Sequence, residues 1–336
     1  MARQMASVRK ITEIHPIPNA DRIEIAVIDG FDVVVQKGLY SVGDLCIYCE
    51  TDSILPVDNP EFAFLEGKRI KIKRLRGIYS YGIAFPMSIL GSDSDKYQEN
   101  ADLTEVLGIK KWEPDLEPQT TSSKKGFPSW IPKTDETRFQ SVLETIKKHV
   151  GTECIVTEKV DGSSTTHFLD SYGNYHCCTR TREVDSDDEY YRRSVACNIP
   201  ELLKELPEGA VVQGELLGPG IQKNKYNLQK HQIRMFNLRL NGKFVNEDDA
   251  LDMLCSAGFL IVPVVNECWK LTDDKEALLN MSIGTSIINS KQQREGLVIR
   301  PKHDLYVKSD TRGQFVEGRF SFKIINPKFE MQLAKE

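Results

Sequence analysis

The pattern of apolar and polar positions divides the chain into two unlike halves. From Val8 to about Pro86 it runs in short alternating segments, RIEIAVIDG, FDVVVQKG, LCIYCETDSILP, RIKIKRLRG and YGIAFP, each bounded by Gly, Pro or Asp. Short strands with turn signals at that spacing predict a small β-barrel or sandwich. Residues 113–133, EPDLEPQTTSSKKGFPSWIPK, are rich in Pro, Ser and Thr and read as a linker. Beyond them the periods are mixed. RFQSVLETIKKHV has Phe139, Val142, Leu143, Ile146 and Val150 at helical spacing. PELLKELPEG opens with a proline suited to a first turn and stops at Pro207 and Gly209. Asn246 to Gly258 offers an N-cap, an acidic first turn and a closing glycine. Between these helices lie CIVTEKV, YHCCTRTREV, AVVQGELLG, QIRMFNLRL, EGLVIRP and GRFSFKIIN, which read as strands. The prediction is an α+β chain: a barrel over 1–112, a linker over 113–133, and a domain of antiparallel sheets with flanking helices over 134–336.

Composition changes little in this picture. The chain has 336 residues, enough for two cores, and 40% apolar with 28% charged residues is ordinary for a globular protein. No apolar run reaches the roughly 18 residues of a membrane span. MARQMASVRKITEI lacks the apolar centre of a signal peptide, so a cytoplasmic or nuclear protein is expected. The eight cysteines are scattered and fit that compartment. Cys46 and Cys49 make a CxxC, but in a strand-like run with no second ligand pair for zinc. Cys177 and Cys178 read as strand residues on opposite faces.

Charge matters locally. The net charge of −5 argues weakly against nucleic acid, yet GKRIKIKRLRG holds six basic residues among its nine inner positions. Lys71 and Lys73 alternate with Ile70 and Ile72, so a strand there would bury one face and show a basic stripe on the other. A charged edge strand that resists aggregation would look the same.

The segment EKVDGSS, Glu158–Ser164, carries the chemistry. An amine attacks phosphorus only when neutral, and a free lysine, with a pKa of about 10.4, is almost wholly protonated at neutral pH. A nucleophilic lysine needs burial, a cation nearby to lower its pKa, and acids to hold that cation. Asp161 follows Lys159 by two and shares its side in extended chain. Glu215 ends the run VVQGEL and Glu295 starts EGLVIR, each beside a glycine that permits close approach of backbone or ligand. Singly these have plainer accounts: Lys-x-Asp-Gly is also a turn, and a glutamate beside glycine at a strand edge is more often solvated. Their combination, in this order across one sheet domain, is more specific.

The combination resembles the covalent nucleotidyltransferase superfamily of polynucleotide ligases and RNA capping enzymes. EKVDGSS resembles its motif I, CTRTRE the segment that supplies an arginine, best matched by Arg180, and QGELLGPGIQKNKY motif III in its RNA-ligase form. MFNLR resembles motif IIIa, REGLVIR motif IV and SFKIIN motif V, and KTDETRFQ is similar to a helix-entry segment of the RNA ligases. HPIPNADRIEIAVIDGFDVVV with RLRGIYSYGIAFP resembles the N-terminal OB domain of a small RNA ligase family. DNA ligases and capping enzymes carry their OB module after the transferase domain. Here the chain runs only about ten residues past motif V, so no later OB module is expected. One position departs from the pattern: where many relatives have K-x-K in motif V, Ile325 follows Lys323, and a second cation would come from elsewhere, Lys328 or Arg300.

The resemblance implies an OB-like β-barrel followed by a nucleotidyltransferase domain of the ATP-grasp-like ligase adenylation type. It implies an ATP-dependent RNA ligase acting on 3′-OH and 5′-phosphate ends, at nicks in duplex RNA, as a monomer without a membrane. Lys159 would become adenylated and Lys323 would stabilise phosphoryl charge. Glu158, Arg180, Glu215 and Phe236 would complete the ATP site, Phe236 against the purine. Asp161, Glu215 and Glu295 would hold Mg²⁺ or Mn²⁺. Lys71, Lys73, Arg74 and Arg76 would contact RNA phosphates, with Tyr79 and Tyr81 either stacking or packed in the core. A GTP-using capping enzyme, a DNA ligase and a non-catalytic RNA-binding protein are the alternatives.

Overall fold

A computed structural model describes residues 4–112, 125–308 and 315–333. The chain divides into two compact units, Met1–Pro118 with Glu330–Glu336, and Gln119–Phe329.

The first unit contains β1 (Ala6–Pro16), β2 (Ile23–Ile28), β3 (Phe31–Gln36), β4 (Leu45–Cys49), β5 (Ser53–Ile54), β6 (Lys73–Leu75), β7 (Ile78–Ser80), β8 (Ile83–Pro86) and β9 (Lys110–Lys111). Its main sheet runs β3-β2-β1-β4-β8, antiparallel throughout. The long β1 is shared: Ala6–Lys10 pair with β4, Ile11–Pro16 with β2, and a bulge falls between Ile11 and Glu13. A bulge bends a strand and tightens its twist, so one strand serves two sides of a curled, OB-type sheet. Cys46 and Cys49 lie in different apolar clusters on opposite faces of β4, one with Ile11 and Ala26, the other with Met5 and Leu55. They therefore cannot grip one ion. In the basic segment Ile70 and Ile72 are buried while Lys73, Arg74 and Arg76 are exposed and Lys71 is half-buried. The strand itself is shorter than the alternation suggests. Only Lys73–Leu75 pair, with β7, across a two-residue turn in which Arg76 (φ 50°) and Gly77 (φ 90°) are both left-handed.

The second unit contains β10 (Thr137–Arg138), α1 (Leu143–Lys148), β11 (Glu153–Lys159), β12 (Ser163–Leu169), β13 (Tyr175–Cys178), β14 (Glu183–Val184), α2 (Glu189–Ala196), α3 (Ile199–Leu203), β15 (Val211–Leu217), β16 (Gln232–Leu240), β17 (Lys243–Phe244), α4 (Glu247–Ser256), β18 (Val264–Lys270), α5 (Lys275–Ser282), β19 (Gly296–Pro301), β20 (Phe322–Ile325) and the first three residues of α6 (Pro327–Leu333). One sheet runs β10-β20-β19-β11-β18, the other β14-β13-β12-β15-β16-β17. All pairings are antiparallel except β10 with β20. The predicted helix after Arg138 begins as a 3-10 turn, Phe139–Val142, before α1. Helices α2 and α5 were not evident from periodicity. Each is marked by an aspartate N-cap, Asp188 and Asp274, whose side chain accepts first-turn N–H groups. Asn246 stands at the N-cap of α4, but its side-chain oxygen accepts from Asp304 N instead.

Of the expected linker, residues 113–124 lie outside the described residues. The remainder packs in the second unit, with Ile131 buried and Pro132 O accepting from Gln213 Nε2 at 2.9 Å. Among the described residues no helix is long and apolar enough to cross a membrane.

Candidate active site

Strand alternation places the site. Cys154 and Val156 of β11, Leu297 and Ile299 of β19, and Phe322 and Ile324 of β20 belong to one apolar cluster, so they share one sheet face. The opposite face carries the intervening residues in rungs fixed by register. Lys159 pairs with Gly296, and Gly296 with Ile325; Thr157 pairs with Val298, Val298 with Lys323, and Lys323 with Arg138. A Cβ on Gly296 would lie 2.2 Å from Ile324 O, so only glycine lets β19 approach β20 this closely beside the lysine.

Lys159 Nζ donates to Glu295 Oε1 at 2.7 Å. Its side chain is 27% exposed, enough to be reached by a small molecule. Burial pulls its pKa down, but Glu295, Glu215 and Asp161 outweigh burial and the net direction is up. Lys159 is therefore a protonated ammonium when nothing else is bound. Glu215 is pushed up to about 8, chiefly by burial, with Lys159 opposing and Glu295 and Asp161 adding repulsion. Glu295 is likewise raised by burial against the pull of Lys159, and its Oε2 is buried with no hydrogen-bond partner. Lys323 is lowered to about 8 by burial first, then by the cations Lys159 and Arg138. Thus five residues predicted from the sequence, Lys159, Asp161, Glu215, Glu295 and Lys323, interact electrostatically in one place.

The turn after β11 is clamped. Asp161 N donates to Tyr226 Oη at 2.6 Å, Gly162 N to Glu215 Oε1 at 3.1 Å, and Lys225 pairs with the Asp161 carboxylate. A Cβ on Gly162 would lie 2.4 Å from Leu216 O. The loop that delivers Lys225 and Tyr226 has three consecutive left-handed residues, Gln222, Lys223 and Asn224, a conformation that persists only where surrounding structure holds it. The three acids expected to bind metal surround Lys159, and each is engaged by a protein donor. Among the described residues no three His, Cys, Asp or Glu side chains converge as a metal-holding group.

Phe236 is the extra residue of a bulge. Gln213 pairs with Asn237 and Gly214 with Met235, so Phe236 has no partner across the ladder. Bulges re-aim side chains, and this one sets a half-buried ring against the cluster of Val160, Leu217 and Tyr226, next to the turn that follows Lys159. Glu158 is buried. Its Oε2 accepts from Ile287 N at 2.8 Å and its Oε1 has no hydrogen-bond partner. Arg180 is exposed and holds both oxygens of Asp135, at 2.7 and 2.8 Å.

In the first unit, Arg74 stacks over Tyr79 with its guanidinium 5.2 Å from the ring centroid. Tyr81 is buried, its carbonyl accepts from Tyr48 Oη, and its ring packs 5.7 Å from Phe31, so it is a core residue.

A family model described as RNA ligase matches residues 152–325, which include every one of the clustered acids and lysines, and an OB-fold domain model matches residues 5–87. The chain belongs to the RNA ligase family. Solved structures of Naegleria gruberi RNA ligase superpose over nearly the whole ligase. An arginine variant with ATP and Mn is 29% identical, with a TM-score of 0.85, over 99% of this chain and 100% of that one. The complex with PPi is 27% identical, with a TM-score of 0.84, over 100% of both chains. A lysine variant with AMP and Mn is 28% identical with a TM-score of 0.84, over 99% and 100%. Comparison with the curated proteins gives no match.

The structure also supplies residues to which sequence reasoning gave no role in the ligase. Arg138 lies within KTDETRFQ, but nothing in that string marks it out; its position beside Lys323 depends on the two-residue strand β10. Arg300, considered as a substitute for the absent second motif V lysine, is committed elsewhere: it is buried against Glu136, Glu247 and Ser321. Lys328 is exposed at the start of α6. Besides Lys159, the cation that the fold sets beside Lys323 is Arg138.

Proposed function

We propose that the ligase joins RNA 3′-OH and 5′-phosphate ends at nicks in duplex RNA, using ATP and passing through lysyl-AMP on Lys159. The observation that carries this reading is Lys159 itself: a reachable amine at a strand end, ringed by Glu295, Glu215 and Asp161 and faced by Lys323. That the Naegleria structures contain ATP, AMP, PPi and Mn supports ATP and a divalent cation as its co-reactants.

The three acids do not converge as a ready metal-holding group, but their chemistry suits such a cation. Glu295 Oε2 is buried and unpartnered, and burial holds Glu215 partly protonated, so negative charge here lacks sufficient compensation from protein groups. Asp161, Glu215 and Glu295 would hold the ion, partly through waters. Bound there, it would cancel the field that keeps Lys159 protonated and offset charge on the α-phosphate.

The chain's own residues do the rest. Neutral Lys159 attacks the α-phosphorus; the N–P bond forms, the bond to the bridging oxygen breaks, pyrophosphate leaves with the electron pair, and Nζ sheds a proton to water. Lys323 and Arg138 stabilise the phosphoryl oxygens. Phe236 stacks on the adenine and the unpartnered Glu158 Oε1 accepts from its amino group. Arg180, released from Asp135, binds ribose or phosphate. Next, the RNA 5′-phosphate displaces lysine from AMP, and finally the 3′-OH attacks that phosphate and expels AMP. Lys71, Lys73, Arg74 and Arg76 hold the RNA by phosphate contacts.

The test is a ligation assay on nicked duplex RNA, single-stranded RNA, DNA nicks and hybrids, with ATP or GTP and with Mg²⁺ or Mn²⁺. Sealing of RNA nicks with ATP is expected. Sealing confined to DNA, or label transfer from GTP alone, would overturn the substrate assignment. No covalent nucleotide with any metal would favour the non-catalytic alternative.

A further inference from the structure

Arg300 is 2% exposed and lies on the same face of β19 as Val298, two residues along from the rung that carries Lys323. Its guanidinium reaches acceptors on four segments. Nη1 donates to Phe236 O at 2.7 Å and to Glu247 Oε1 at 3.1 Å, Nη2 to Glu136 Oε1 at 2.7 Å, and Nε to Ser321 Oγ at 3.1 Å. Glu136 and Ser321 immediately precede β10 and β20, the parallel pair that sets Arg138 beside Lys323. Phe236 is the bulged residue of β16, in the other sheet. A buried ion pair is weak evidence of stability, since apolar side chains of similar volume often hold two sheets together as well. What a planar fork adds is direction: it fixes a chosen carbonyl and a chosen carboxylate at set positions.

We propose that Arg300 is a positioning residue that sets the distance between the base-binding and phosphate-binding halves of the nucleotide site. The proposal rests on the roles given above to Phe236, Lys323 and Arg138. Arg300 touches no reacting atom. It ties the backbone of Phe236 to the starts of both strands that carry the phosphate-side cations. ATP must bridge the two halves, so its affinity depends on their separation. Adenosine or inorganic tripolyphosphate engages one half and is indifferent to it.

The test measures binding of ATP, adenosine and inorganic tripolyphosphate, with Mn²⁺, to full-length Lys159→Met protein, with and without Arg300→Lys. Lysine keeps the charge but cannot form the fork. ATP should weaken by ~10-fold, while adenosine and tripolyphosphate change by less than about twofold. Unchanged ATP affinity, or equal loss for all three ligands, would overturn the proposal; a purely structural role would lower the melting temperature and leave the ratios alone. Glu136→Gln, which leaves the Phe236 branch intact, should weaken ATP but neither adenosine nor tripolyphosphate. If Arg300→Lys does not fold, this variant decides, and equal weakening of adenosine overturns the idea. Phe236→Ala separates the underlying reading from the proposal: if it leaves adenosine binding unchanged, the base site is misassigned whatever Arg300 does.

Discussion

Glu215 keeps a proton up to about pH 8 because burial disfavours its charged form. An unfolded chain gives up that proton near the ordinary carboxylate pKa, about 4.3. Between the two values the folded state binds more protons than the unfolded, so stability falls as pH rises through that window. Glu215→Gln removes the penalty. Without nucleotide or metal, its melting temperature should exceed wild type by about 3 °C or more at pH 8.5 and match it near pH 4.5; an equal gain at both pH values would contradict the assigned cause. The same variant should lose adenylylation, separating stability from function at one side chain. Lys323→Ala should lower the adenylylation rate by about 10²–10³-fold, the usual worth of one donor aimed at developing charge. At this scale much was legible. Lys159, Asp161, Glu215, Glu295 and Lys323 sit in motif-like strings whose chemistry can be argued from residue type. Tyr226 and Lys225 were in plain text too, but a loop of left-handed residues, which no periodicity encodes, brings them onto Asp161.

At the level of elements, glycines do what no other residue could. Gly296→Ala would put a Cβ 2.2 Å from Ile324 O and drive β19 from β20, separating Glu295 from Lys323. It should cost about 1–3 kcal/mol or more in denaturant unfolding and lose adenylylation together with stability. Gly214 has a similar role at the bulge, where a Cβ would lie 2.7 Å from Arg234 O. Both glycines read from the sequence as places of close approach, and the approaching group is a neighbouring strand. Alternation revealed β11, β15 and β16, which bury one or both faces, but not β12 or β18, which are as long as β11. It could not reveal β10, two residues long and parallel to a partner far along the chain, and without β10 nothing places Arg138. Nor could it reveal the bulge at Phe236, which exists only once β15 and β16 are paired.

For the whole molecule, the proposed roles fall on different units. The basic hairpin belongs to the first and the lysine to the second. Reversing charge at Lys73, Arg74 and Arg76 together should therefore weaken nick binding and sealing while leaving self-adenylylation near wild type. The slope of log affinity against log salt should become shallower by about 2–3, roughly 0.9 for each duplex phosphate that is no longer neutralised. An unchanged slope would place the RNA elsewhere on the protein. The order of the two parts was legible from composition and turn spacing, because a run of short strands and a mixed α+β pattern look different in any window. The inner edge of the boundary was not: residues 125–133 have a linker's composition but bury Ile131 and bond through Pro132.

The central claim is that Lys159 is the residue that carries AMP. The most direct measurement is peptide mass spectrometry of the full-length protein after incubation with ATP and Mn²⁺, at alkaline pH to preserve a phosphoramidate. The account predicts one AMP on the peptide containing Glu158–Ser164, localised to Lys159, reversed by added pyrophosphate and absent from Lys159→Ala. AMP on any other residue, or an equal yield from Lys159→Ala, would contradict it.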